Sequence, residues 1–367
     1  MRSFFSWMTR VVSNIIAVFI GLVLALLLAE LLVRTFAPHP DYGGGIRPAF
    51  YSNLFEYDDL LGWKGVKNLS TPYYSKDFHV TVKHDAEGYR NIYPSYVEGK
   101  KNYLLIGDSY AWGWGVEDDE TAAAVFTRKN PEKNLYSLGI AGYGTDQEWL
   151  SLQQFLERHP KHHYQGVILE FYFNDFDDNA ATERYAYQKP VFVDSENGLQ
   201  LTNVPVPYKA VEQGIPVTEI PEPNDWSSQV QFLNFIAHSI PPIIALINRH
   251  GQPEVLPVLQ QSMKAKLILS AKLLAEIRRY CEERGLFFHA VILQTQDTQG
   301  ENLVAIRALA DELGKRGVAH SVFKSRYFPS TDLWLDAHFT PYGQSLLADH
   351  IADITESAEN KNSNINR

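Results

Sequence analysis

Residues 103–109 read Tyr103-Leu104-Leu105-Ile106-Gly107-Asp108-Ser109. The apolar run Tyr103–Ile106 is too short for a helix and suits a buried strand. Gly107 permits a sharp turn, and Ser109 falls just past the strand's C-terminal end. In open parallel sheets, ligands bind outside that end of the strands. The fold therefore depends on whether more strands of this kind follow.

They do. Asn134–Leu138, Val167–Phe173, Leu286–Leu293 and Val318–Phe323 are further apolar runs of strand length. Helical patterns separate them: Asp119–Lys129, Thr145 to about Arg158, Ser262–Arg284, Leu303–Lys315, and Pro341 to about Thr355. Thr145-Asp146-Gln147-Glu148 has capping-box form. Thr340 suits an N-cap with Pro341 in the first turn. Strands alternating with helices predict an α/β fold, a parallel sheet covered by helices on both faces.

This region, 101–356, is expected to carry an insertion at about 180–257, rich in proline. The insertion's first part reads as a hairpin near Gly198. Its second part, Val230–Ile247, is apolar, is interrupted by Pro241-Pro242, and reads as a lid or core-covering helical pair. Upstream, 51–100 reads as a small β-rich lead-in. Phe78, Val80 and Val82 fall at period two, and Asp85-Ala86-Glu87-Gly88 supplies turn chemistry. Residues 34–50, rich in Pro and Gly, read as a linker. The polar end, 357–367, reads as a frayed tail.

The chain has 367 residues, 45% apolar and 21% charged, a globular balance that excludes wholesale disorder. Its single cysteine, Cys281, excludes an intramolecular disulfide and a multi-cysteine metal site. A net charge of −10 without a Lys/Arg cluster argues against nucleic acid as partner. Residues 11–33 read VVSNIIAVFIGLVLALLLAELLV, with Glu30 as the one acidic residue. As a helix this run spans roughly 35 Å, enough to cross a bilayer core. Arg2 and Arg10 precede it, which places residues 1–10 in the cytoplasm. A cleaved signal peptide is the rival reading, but its apolar region would be shorter and no convincing small-x-small cleavage site follows Leu32, so an uncleaved signal anchor is expected. The chain is thus read as a single-pass protein of the bacterial inner membrane. Its disulfide-free outer part is compatible with the periplasm.

Ser109 becomes a nucleophile if a base reaches it. Asp336-Ala337-His338, just before the last helix, offers an imidazole and a carboxylate to orient it. Gly139-Ile140-Ala141-Gly142 and Phe173-Asn174-Asp175 each follow an apolar strand, and offer a closely approachable amide and a side-chain N–H₂. Singly, these residues are equally a helix cap, a loop histidine, a turn glycine and an Asx-turn. In order along the strand-end loops, they supply what acyl transfer needs.

The combined arrangement resembles the SGNH (GDSL-type) hydrolase family. The matching blocks are Gly107-Asp108-Ser109 within GDSYAWGWGV, Gly142 within SLGIAGYGTDQ, Asn174, and Asp336-x-His338, over about Tyr103 to Asp349. The resemblance implies a three-layer α/β/α sandwich with a flavodoxin-like parallel sheet, and no metal or organic cofactor. It implies Ser109 as nucleophile, His338 as general base and Asp336 as the acid that orients it. The Ser109 and Gly142 amides and the Asn174 side chain would form the oxyanion hole. Two features depart from the family pattern. Tyr172 and Phe173 precede Asn174, where the family has a glycine two residues before the Asn. The last block is Asp-x-His rather than Asp-x-x-His, which leaves Asp332 as an alternative acid. Gly62-Trp63 and Glu87-Gly88-Tyr89-Arg90 resemble the lead-in of membrane-anchored bacterial members.

The expected function is a serine-dependent ester hydrolase acting on an ester in the cell envelope. Its substrate would be a small-molecule or polysaccharide ester. One alternative is an O-acyltransferase of an envelope polysaccharide, with a sugar hydroxyl in place of water. Another is a non-catalytic module that binds an envelope protein, favoured by the altered spacing at Asp336 and by the insertion. Trp112, Tyr143 and Phe173, with Trp114 and Phe339, flank the blocks. They suit a platform for a sugar or acyl chain, or simple core packing. The run 174–179 lacks the glycine and distal Glu of a calcium loop. His159, His162 and His163 close a helix, where cations suit the dipole, without further zinc ligands.

Overall fold

The computed structural model describes residues 2–36, 54–74, 78–185, 187–196, 198–209, 232, 257–295, 298–325 and 337–365. Helix α1 covers Arg2–Phe36. Within it Arg10–Arg34 is long and apolar enough to cross a membrane, with a mean hydropathy of 2.9. From Val12 to Leu32 its large apolar side chains are exposed, which suits lipid rather than a protein core.

Two hairpins follow. Strands β1 (Phe55–Asp58) and β2 (Gly62–Gly65) pair antiparallel, as do β3 (Ser70–Tyr74) and β4 (His79–Lys83). Val80 and Val82 face inward, as their period-two spacing predicts. The turn after β4 forms as expected, with Asp85 accepting from the amides of Glu87 (2.9 Å) and Gly88 (3.2 Å). The lead-in packs on the sandwich: Phe55, Trp63 and Val82 share one buried core with Leu104, Trp112 and Tyr143.

The sheet holds β5 (Lys101–Ile106), β6 (Lys133–Ser137), β7 (Tyr164–Phe171), β12 (Phe287–Gln294) and β13 (His320–Lys324). Its order is β13-β12-β7-β5-β6, and all neighbours run parallel. Successive side chains alternate faces. Leu104, Ile106, Val167 and Leu169 pack with helices α4 (Thr145–Arg158), α6 (Gln261–Glu282) and α7 (Gly300–Lys315). Tyr103, Leu105, Ile168 and Val291 pack on the other side with α3 (Ala122–Lys129) and α8 (Pro341–Ile365). Burial on both faces explains why each strand reads as an unbroken apolar run. The fold is the expected three-layer α/β/α sandwich with flavodoxin-like strand order. The order reverses between β5 and β7, the crevice where such sheets bind ligands.

Several boundaries differ from the sequence reading. The helix expected from Asp119 starts as a 3₁₀ turn, Asp118–Glu120, and restarts as α3. The Thr121 hydroxyl separates the two by accepting from Ala124 N–H (3.3 Å). Helix α4 is N-capped by Gly144 rather than Thr145, and Gln147 Oε1 accepts from the Gly144 amide (3.3 Å). Thr340 caps α8 as expected, its Oγ1 accepting from Gly343 N–H (3.2 Å). That helix continues to Ile365, past the expected end near Thr355. Its extension is tied down by Glu359, which accepts from Tyr103 Oη (2.5 Å) and pairs with Lys101 (2.7 Å) and Lys133 (3.3 Å). In the insertion, β8–β9 (Glu183–Arg184, Tyr187–Gln188) and β10–β11 (Val191–Ser195, Gly198–Thr202) form hairpins, the second around the expected Gly198. The helical pair expected over Val230–Ile247 lies outside the described residues, Phe232 apart.

Candidate active site

Ser109 opens the one-turn helix α2 (Ser109–Trp112) straight after β5. Asp108 caps it, its carboxylate accepting from Tyr110 N–H (3.0 Å). This is why an acid precedes the serine: it satisfies an otherwise orphaned donor and fixes the turn. The loop after β6 runs directly beneath. Leu138 N–H reaches Leu105 O (2.7 Å) and Ile140 N–H reaches Gly107 O (3.2 Å). A Cβ on Gly139 would lie 2.6 Å from backbone atoms of Ala111 and Trp112, so only glycine allows this approach. Gly142 has φ +83°, a conformation open to glycine at little cost. Among the described residues, the Ser109 and Gly142 amides have no protein acceptor.

The structure brings His338 to Ser109, with Nε2 2.8 Å from Oγ. A serine proton donated to Nε2 requires the neutral tautomer protonated at Nδ1. The imidazole stacks with two rings: Tyr110 at 4.9 Å and 29°, and Trp114 at 4.9 Å and 19°. Tyr110 Oη donates to Ala337 O (3.0 Å), and Ala337 holds φ +68°, a strained value for a non-glycine residue. The expected orienting acid, Asp336, and its alternative, Asp332, lie outside the described residues.

Asn174 precedes the short helix α5 (Asp175–Asp178), at the end of β7. Its Nδ2 donates to Asp108 Oδ2 (3.1 Å) and to Asp178 Oδ2 (2.9 Å). Both amide hydrogens are thus given to carboxylates. Donation to an oxyanion requires one of these bonds to be exchanged, unlike the open donor that the sequence suggests.

Buried acids surround this point. Asp146 pairs with Lys189 (2.5 Å), and Asp178 pairs with Arg184 (2.9 Å). Burial raises the Asp108 carboxyl above its ordinary range, opposed by the Tyr110 amide and the Asn174 side chain. It raises Asp178 to about 7, opposed by Arg184. Glu148, Glu170 and Asp175 are pushed well above the carboxylate range, first by burial and then by neighbouring acids. In each case burial disfavours the charged form of the acid. Among the described residues, no group of three or more His, Cys, Asp or Glu is placed to hold a metal ion.

The expected aromatic platform is corrected in two members. Trp112 and Tyr143 are fully buried. Trp112 Nε1–H donates to His84 Nε2 (3.3 Å), and the Tyr143 hydroxyl donates to the Trp63 carbonyl. Their faces fill the core and cannot meet a substrate. Phe339 is buried too. Phe173 is half-buried beside Asn174, and Trp114 half-buried against His338.

The lead-in supports both site loops. Arg90, fully buried, pairs with Asp118 (2.6 Å) and donates to the carbonyls of Gly113 and Val116, just past α2. His84 donates from Nδ1 to Val66 O (3.1 Å) while accepting from Trp112, so it must be neutral. Burial lowers its pKa to about 4. Trp63 Nε1–H donates to Ala141 O (3.2 Å), and Gln147 to Leu61 O (2.7 Å), holding the Gly142 loop. The sequence reading named Arg90 only through a resemblance, and did not single out Tyr110 or His84. A buried arginine's role is written only in its distant partners, whereas Tyr110 is adjacent to Ser109 in the sequence.

No protein-family model matches the chain, and no curated protein is similar to it. In structure, the chain is similar to a lipolytic protein of the G-D-S-L family from Veillonella parvula, with 11% identity over 69% of this chain and 97% of that one, TM-score 0.38. It is similar to the esterase EstA of a Pseudoalteromonas species, with 10% identity over 71% and 100%, TM-score 0.37. It is also similar to an acetyl xylan esterase of Butyrivibrio proteoclasticus, with 10% identity over 76% and 68%, TM-score 0.35.

Proposed function

We propose that the chain is a serine-dependent ester hydrolase of the SGNH (GDSL) type, anchored in the bacterial inner membrane by α1 and acting in the periplasm on an ester of the cell envelope. The 2.8 Å contact of Ser109 Oγ with His338 Nε2, at the crevice between β5 and β7, carries this reading. Ser109 Oγ attacks the ester carbonyl as its proton passes to His338 Nε2. The tetrahedral oxyanion accepts from the Ser109 and Gly142 amides, and from Asn174 once its amide leaves a carboxylate. Collapse expels the alcohol, which takes the proton from His338. Water, deprotonated by the same imidazole, then releases the acid and restores Ser109. Asp336, three positions before the Tyr110-bound stretch ends at Phe339, is proposed as the acid that orients His338. Half-buried Phe173 is proposed to line the substrate crevice.

The test is p-nitrophenyl acetate turnover by the full chain in detergent micelles, beside Ser109→Ala. Turnover lost in the variant supports the reading. Equal turnover in both proteins, with folding confirmed, overturns it. Adding an oligosaccharide separates hydrolysis from transfer: free acetate marks a hydrolase, an acetylated sugar a transferase.

A further inference from the structure

The base of a serine hydrolase must be held in reach of its nucleophile through several steps. Here one face of the His338 imidazole is covered by Trp114, nearly parallel at 4.9 Å. Trp114 is itself tied to the nucleophile, since its amide donates to Ser109 O (3.0 Å). Tyr110, the residue after Ser109, stacks on the same imidazole at 4.9 Å. A single turn of chain therefore carries the nucleophile and both rings that confine the base. Behind Trp114 stand Tyr73 of β3, edge-on at 5.3 Å, and Phe78, before β4, edge-on at 6.4 Å. Both are buried, at 5% and 2% exposure. They come from the lead-in hairpin, outside the α/β sandwich.

We propose that Trp114 is a positioning residue for His338, and that the lead-in hairpin, through Tyr73 and Phe78, holds Trp114 against the imidazole. This rests on the hydrolase reading above. Trp114 takes no proton and forms no bond to substrate. It removes orientations of the imidazole in which Nε2 would leave Ser109. A stacked ring also favours the imidazolium that forms during attack. The lead-in then serves as part of the catalytic support, and the catalytic pair is complete only with the hairpin in place.

The test uses the full chain in detergent micelles, with wild type, Trp114→Phe, Trp114→Leu and Tyr73→Leu. Misplacing a catalytic group by about 1 Å costs on the order of 100-fold. Trp114→Leu should therefore lower kcat by about 10- to 100-fold with KM changed by less than about 3-fold. Trp114→Phe should restore most of the rate, and Tyr73→Leu should lower kcat in the same direction by less. A second readout needs no activity. The Cε1–H resonance of His338, identified by its loss in His338→Gln, should lie upfield in wild type and move downfield in Trp114→Leu and Tyr73→Leu. Folded variants with unchanged kcat and an unmoved resonance would overturn the proposal. If Trp114→Leu fails to fold, Tyr73→Leu decides by the same two measures. Wild type without Ser109-dependent turnover would sink the hydrolase reading, while the resonance would still report whether the ring confines the imidazole.

Discussion

The two halves of the catalytic pair are held by different means. Around Ser109 and Gly142 the restraint is backbone and buried polar bonds. The β5 and β6 loops bond to each other, and Arg90, His84, Trp63 and Gln147 fasten them to the lead-in. Around His338 the described residues supply two stacked rings, one tyrosine hydroxyl and a strained Ala337. Hydrogen bonds fix direction, and stacking fixes a plane while permitting rotation within it. The nucleophile side is thus built as a rigid template, and the base is delivered to it.

That contrast predicts a graded set of effects. The largest falls on the base. His338→Ala should reduce kcat by roughly 10⁴-fold or more while the fold persists, because the His338 side chain is only half-buried. Thermal melting and turnover of the same sample check both halves of that statement.

The oxyanion donors come next, and should be unequal. Gly142→Ala strains a backbone at φ +83° and displaces a fixed amide, so kcat should fall by about 100- to 1000-fold. Asn174→Ala should cost less than about 100-fold, since its hydrogens are already given to Asp108 and Asp178. Equal losses would show that Asn174 turns fully into the hole during reaction.

The third effect is on stability, and belongs to the nucleophile side. His84 is neutral in the fold, with its pKa lowered from 6.5 to about 4 by burial. Between those values the unfolded chain binds a proton at this site that the folded chain does not, so the His84 contribution to stability falls as pH drops from 6.5 towards 4, against the opposite contribution of Asp178, raised to about 7. The loss should approach roughly 3 kcal/mol and level off below pH 4. Denaturation curves of wild type and His84→Gln at stepped pH measure it as the difference between the two.

The smallest effect tests the corrected aromatic platform. Tyr143→Phe removes the bond to the Trp63 carbonyl and should cost about 1 kcal/mol of stability. KM should not change, because Tyr143 faces the core. A raised KM in a stable variant would return Tyr143 to the substrate side.

Much of the sandwich was legible because each central strand is a continuous apolar run buried on both faces, and each is followed by a chemically distinctive loop. Leu104-Leu105-Ile106 before Gly107 is such a case. The same logic failed where partners lie far apart in sequence. Glu359 looks like part of a polar tail until it meets Tyr103 and Lys133. Trp112 and Trp114 look alike in GDSYAWGWGV, yet one turn of α2 sends the first into the core and leaves the second beside His338. Arg90 and His84 carry no local pattern at all, since their partners sit on the loop they support. The engaged amide of Asn174 was equally invisible, because it depends on Asp178 folding back over it.

The central claim is that His338 activates Ser109 as a nucleophile. The most direct measurement is mass spectrometry of the intact chain after a fluorophosphonate probe. The account predicts one adduct, located on Ser109, formed rapidly in wild type and slowed strongly in His338→Ala. An unmodified wild-type chain, or labelling of Ser109 at the same rate without His338, would contradict it.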